Sequence, residues 1–123
     1  MTPMAAGAYQ AYRQVDVETA SPHKLVTMLY EGAIRRCREA VRAFEAGNNA
    51  EATRLLYKAQ DIIAELLTNL DREKGGELAA ELAEHYLFMY DLLVKANIKR
   101  DAKSVGEVAD LLSELLSAWK QIG

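Results

Sequence analysis

SPHKLVTMLYEGAIRRCREAVRAFEAGNN, residues 21–49, opens with residues that start an α-helix and closes with residues that stop one. The Ser21 hydroxyl can accept from free amides of a first helical turn, and Pro22 at the next position lacks the amide that would have no partner there. Between the two ends Val26, Leu29, Ala33, Cys37, Ala40 and Phe44 recur at intervals of three and four, the spacing of one helical face. Gly47 takes a positive φ without cost and ends the run, and Asn49 is placed to cap a second helix. The stretch therefore predicts a helix over 21–46 and an immediate return.

The rest of the chain repeats that grammar. Ala52, Leu55, Ala59, Ile62 and Leu66 share one stripe, with Leu56, Ile63, Leu67 and Leu70 beside it, predicting a helix over 49–73 that stops at Lys74-Gly75-Gly76. Glu77 suits the positive end of a third helix over 77–99. Ser104 and Glu107 have the spacing of a capping box, serine bonding forward and glutamate back, and start a fourth over 104–121. Helices of this size run on the order of 27 to 37 Å. Short connections make neighbours antiparallel, so the expected fold is all-α, an up-and-down four-helix bundle. It forms one domain over 1–123, with residues 1–20 as a mobile tail, extended or briefly helical.

Composition narrows the function classes. The formal charge is −3, and binding to a phosphate backbone needs a concentrated basic face, so nucleic acid is not an expected partner. Cys37 is the single cysteine, which excludes an internal disulfide and fits a reducing compartment. The opening MTPMAAGAYQAYRQV has neither the basic start nor the apolar run of a signal peptide, and no window resembles a membrane span of about 20 apolar residues. A cytosolic location without membrane insertion is the expectation.

No constellation points to catalysis or to a cofactor. A carboxylate-bridged metal pair in a bundle needs Glu-x-x-His on two helices, and neither His23 nor His85 completes one. Cys37 falls on an apolar stripe and reads as a small core residue. Lys74-Gly75-Gly76 lacks the spacing of a phosphate loop and is bracketed by Glu73 and Glu77. Arg35, Arg38 and Arg42 make a basic stripe on the first helix, with Glu31, Glu39 and Glu45 close enough to pair with them. The expectation is no enzyme, no metal and no cofactor.

What stands out is the width of the apolar faces. A bundle helix needs an apolar stripe of about 100°. In the third helix Leu78, Leu82, Tyr86, Met89, Leu93 and Ala96 fill that stripe while Ala79, Ala83, Tyr90 and Val94 widen it, leaving a narrow charged strip of Glu77, Glu81, Glu84, Asp91 and Lys95. The fourth helix, from Val105 to Trp119, is apolar over about half its circumference on the same wheel, and the second is wide as well. A single core cannot use so much apolar surface, so the excess is expected to receive an amphipathic partner helix or to bury itself in a structural homo-oligomer, a dimer being the simplest. Tyr9, Tyr12 and Val15 precede the first helix start and are placed to lie across such a groove until a partner arrives.

In order and spacing, VDVETASPHKL followed by MLYEGAI, the EKGGEL turn, KANIK and the closing AWKQI resemble the flagellin export chaperone family known as FliS, and the likeness covers nearly the whole chain. The resemblance implies a non-enzymatic helical bundle in the cytosol. It would bind the C-terminal region of flagellin, prevent premature polymerisation, and assist delivery to the flagellar export apparatus, a type III secretion system. It further implies contact with the export gate protein when loaded, and a tail that covers part of the hydrophobic site. Tyr12 is the tyrosine of the A-Y-x-Q segment, and Tyr9 stands where relatives often carry an aliphatic residue. The expected partner-binding residues are Tyr9, Tyr12 and Val15 of the tail with Leu56, Ile63, Leu67, Met89, Leu93, Asn97 and Trp119 of the bundle. Asn97 is the polar member, able to bond a partner's backbone.

Overall fold

The Ser21 hydroxyl accepts from the Lys24 amide at 3.1 Å and Pro22 holds the first position of the helix Pro22–Glu45, α1, as the opening stretch predicts. The computed structural model describes residues 21–122, so Tyr9, Tyr12 and Val15 lie outside the described residues. Gly47, at φ 76°, reverses the chain, and the cap of α2, Asn49–Thr68, is Asn48 rather than Asn49, its side chain accepting from the Glu51 amide at 3.3 Å.

Three helix limits differ from the sequence expectation. The second helix ends at Thr68, because the Asn69 side chain donates back to the Glu65 carbonyl and Leu70 turns into the core. Asp71 then caps α3, Arg72–Lys99, by accepting from the Lys74 amide at 3.0 Å. The glycine pair lies inside α3, where Gly76 (φ 57°, ψ −136°) puts a kink after the first turn. At the far end Arg100 adopts the left-handed conformation and the Asp101 amide donates to the Ala96 carbonyl at 2.9 Å. The last helix, α4 (Ala102–Lys120), starts three residues earlier than a capping box at Ser104 requires. Asp101 is its cap, accepting from the Ser104 amide at 3.2 Å and from the Ser104 hydroxyl at 2.7 Å.

These four helices, with no strand among the described residues, form a four-helix bundle. The first helix packs extensively against α2 and α4; α3 packs against α2 and most lightly against α4. Antiparallel neighbours follow from the cross-links. Glu31 and Arg38 of α1 pair with Lys120 and Asp110 of α4, so rising numbers on one helix meet falling numbers on the other. Arg38 thus pairs across the seam and not with a glutamate of its own helix. At the end of the bundle the His23 and Trp119 rings stack with centroids 4.7 Å apart. The His23 Nε2–H donates to the Trp119 carbonyl at 3.0 Å and the Trp119 Nε1–H donates to the His23 carbonyl at 3.0 Å, so the start of α1 is clasped to the end of α4.

Across the diagonal, the hydroxyls of Tyr30 on α1 and Tyr86 on α3 share a hydrogen bond in the core. Burial first, then the neighbouring Tyr86, pushes the Tyr30 phenol well above its ordinary range. Around this pair Cys37, Leu56, Ile63, Met89, Leu93 and Leu112 are sealed from solvent. Small residues bring the helices close. A methyl at Gly32 would stand 3.3 Å from the Ile62 side chain, so α1 and α2 are near contact there.

Candidate functional site

Seven large apolar side chains are exposed among the described residues, and five of them (Leu87, Phe88, Tyr90, Val94 and Ile98) belong to α3. The surplus anticipated on three helices is therefore concentrated on one. The wide faces of α2 and α4 are absorbed by the core apart from Tyr57, whereas α3 packs too lightly on α2 and α4 to cover its own.

The helical spacing sorts these five. Leu87, Tyr90, Val94 and Ile98 are separated by three, four and four residues and form one strip, about 16 Å long at 1.5 Å per residue. Phe88 points to the other flank of the same helix. The strip lies on the α2 side, because Asn97, on that flank, accepts from the Thr53 hydroxyl of α2 at 2.8 Å. From α2 the strip is met by Tyr57, one turn after Thr53 and 59% exposed. The α2–α3 seam is thus flanked by exposed apolar side chains, with Tyr57 on one side, the α3 strip on the other and the Thr53–Asn97 pair at one end. Asp91 and Lys95 on the outer face of α3 pair with each other at 2.8 Å.

The residues singled out from the sequence fall into three groups. Asn97 and Leu67 are half-buried along this seam. Leu56, Ile63, Met89, Leu93 and Trp119 are interior, each no more than 2% exposed, and back the surface instead of forming it. They carry the apolar stripe that faces the core, and a wheel drawn from one helix does not separate that stripe from its exposed edge. Tyr9, Tyr12 and Val15 lie outside the described residues. Tyr57, Leu87 and Ile98 were not anticipated; the widening of the α3 stripe toward Tyr90 and Val94 was the signal that leads to them.

The chemistry available is burial and hydrogen bonding. Among the described residues no three His, Cys, Asp or Glu side chains gather so as to hold a metal ion, and no helix is long and apolar enough to cross a membrane. Cys37 is sealed in the core, where burial pushes its thiol up to about 12 against a small opposing effect of Arg38. A protonated, inaccessible thiol is not a nucleophile.

Residues 4–123 match the family described as flagellar protein FliS. The flagellar secretion chaperone FliS of Salmonella typhimurium is 43% identical over 122 residues, covering 95% of this chain and 90% of that protein. That of Vibrio cholerae is 40% identical over 120 residues, covering 94% and 88%. That of Bacillus subtilis is 41% identical over 113 residues, covering 92% and 84%.

Proposed function

The chain belongs to the FliS family of flagellar proteins, and on that premise we propose that it is a secretion chaperone that binds the C-terminal region of flagellin in the cytosol. The bound region is kept from polymerising until it is delivered to the flagellar export apparatus, where the loaded complex meets the export gate. The observation that carries the reading is the apolar strip exposed along the α2–α3 seam, with helical spacing, on the helix least covered by its neighbours. An amphipathic segment laid along it gains apolar burial that neither partner achieves alone. Ordering a flexible terminus opposes binding, so contact must run the length of the strip, and binding should carry a negative heat-capacity change.

Calorimetry with a peptide of about forty residues from the flagellin C-terminus, followed in parallel by helical circular dichroism, tests this. Wild-type protein should bind with a gain of helix. Because Val94 and Ile98 are exposed, the double variant Val94→Asp, Ile98→Asp should keep its melting temperature and lose at least about tenfold in affinity. Met28→Asp, an equally exposed change on α1, should bind as wild type. Undiminished binding by the α3 double variant would remove the seam from the mechanism.

A further inference from the structure

Apart from aromatic side chains and Cys37, one side chain with polar groups is buried among the described residues: Gln60 of α2, 6% exposed. Its amide has no hydrogen-bond partner there, although buried polar groups are nearly always paired. At the same time no described side chain holds a polar atom that is both sealed and unpaired. The small part of Gln60 that reaches the surface is therefore its amide tip. The aliphatic stem is packed away, and the two donors and the acceptor look out through a narrow opening.

That opening is in the seam. Gln60 follows Thr53 by seven residues, two helical turns, and so shares its face. Thr53 bonds Asn97 on α3, whereas Ile62, on the opposite side of α2, reaches Gly32 on α1. In the antiparallel register the residue of α3 across from Gln60 is seven before Asn97, which is Tyr90. The amide thus emerges between two partly exposed tyrosines, Tyr57 one turn before it and Tyr90 opposite.

We propose that Gln60 sets the register of the helix that docks along the seam. This inference rests on the docking reading above and adds the chemistry of the occupant. It is an amphipathic helix with one uncharged hydrogen-bonding side chain, Ser, Thr, Asn or Gln, within its apolar face, seated opposite Gln60. Apolar contact along the strip is tolerant of sliding, since Leu87, Tyr90, Val94 and Ile98 repeat at nearly equal steps. An amide about to be covered is not tolerant. A docked helix that presents leucine to Gln60 leaves donors and an acceptor unpaired in an apolar seam, and one that presents a carboxylate or an ammonium must strip a charge of its water. A neutral polar residue satisfies the site without that desolvation, as single buried asparagines fix register in coiled coils.

The test pairs protein and peptide changes. Full-length wild type, Gln60→Met and Gln60→Leu are titrated with the C-terminal flagellin peptide and with peptides in which each uncharged polar residue of its apolar face is changed, one at a time, to leucine. With wild type, one such position should lose about fivefold to fiftyfold in affinity. With Gln60→Met that position should become neutral, its leucine peptide binding as well as the parent. Both Gln60 variants should melt no lower than wild type, which separates a lost contact from a damaged fold. If Gln60→Met binds every peptide with the wild-type profile, this inference falls while the docking reading stands. If wild type ignores the parent peptide, both fall.

Discussion

Cys37 shows how completely the interior of α1 is closed to water. Its thiol is raised from 9.0 to about 12 by burial, so the folded chain keeps a proton that the unfolded chain releases above about pH 9. The stabilisation this represents is present in full below pH 9 and is lost as pH rises from 9 toward 12, at about 1.4 kcal/mol for each pH unit. Urea unfolding of wild type at pH 8 and pH 10.5 should therefore show a loss about 2 kcal/mol larger than the loss measured for Cys37→Ala, which has no thiol to titrate. Equal losses in the two proteins would mean that the thiol is reached by water. That Cys37 belongs to the core is legible in its threefold and fourfold spacing from Ala33 and Ala40. The reciprocal bonds of His23 and Trp119 are not legible there, because they join residues 96 positions apart and depend on how the two helix ends meet.

For a whole helix, the caps decide where it starts, and two glycines of the same composition act in opposite senses. Gly106 lies within regular α4, and a methyl there would meet nothing within 4 Å. Gly106→Ala should raise stability by about 0.5 to 1 kcal/mol, through lower chain entropy in the unfolded state. Gly76, at φ 57° and ψ −136°, occupies a region closed to side-chain-bearing residues, and Gly76→Ala should cost about 1 to 3 kcal/mol although the space around it is equally empty. Thermal melts of the two variants should shift in opposite directions by a few degrees; shifts of the same sign would contradict this assignment of the backbone. The α1 cap could be read from Ser21-Pro22 because both signals coincide. The starts of α3 and α4 could not, since Asp71 and Asp101 compete with a glycine pair and with a Ser-Glu box, each a valid stop or start by local rules. Geometry favours the aspartates. Asp101 takes both the amide and the hydroxyl of Ser104, and the hydroxyl bond foremost draws its carboxyl below the ordinary range.

At the scale of the molecule, the alternation of apolar residues was enough to foresee four helices and one core, because each helix must turn its densest stripe inward whatever its neighbours do. Which apolar residues remain outside depends on how closely each helix packs on its neighbours, and that is a property of the assembly. Leu93 and Val94 are adjacent in sequence and similar in character, yet one is sealed and the other 37% exposed. Spacing places Leu93 in the central stripe and Val94 at its widened edge, but whether a neighbouring helix covers that edge is not written in either residue. The same inequality of packing predicts an inequality of stability. The first helix is held on two sides along most of its length, while α3 leans on α2 and only lightly on α4. Sparse contact lowers the free energy of local opening. In the free protein, backbone amides of 80–98 should exchange hydrogen at least about tenfold faster than those of 26–44, as read by mass spectrometry of peptic fragments. When the flagellin peptide is added, protection should rise most over 80–98 and around Tyr57, and change little in α1, because a helix seated along the seam supplies the packing that α3 lacks. Uniform exchange across the four helices of the free protein would mean that the bundle opens only as a unit. Protection appearing first on α1 would place the partner on a different face from the one whose apolar side chains are exposed.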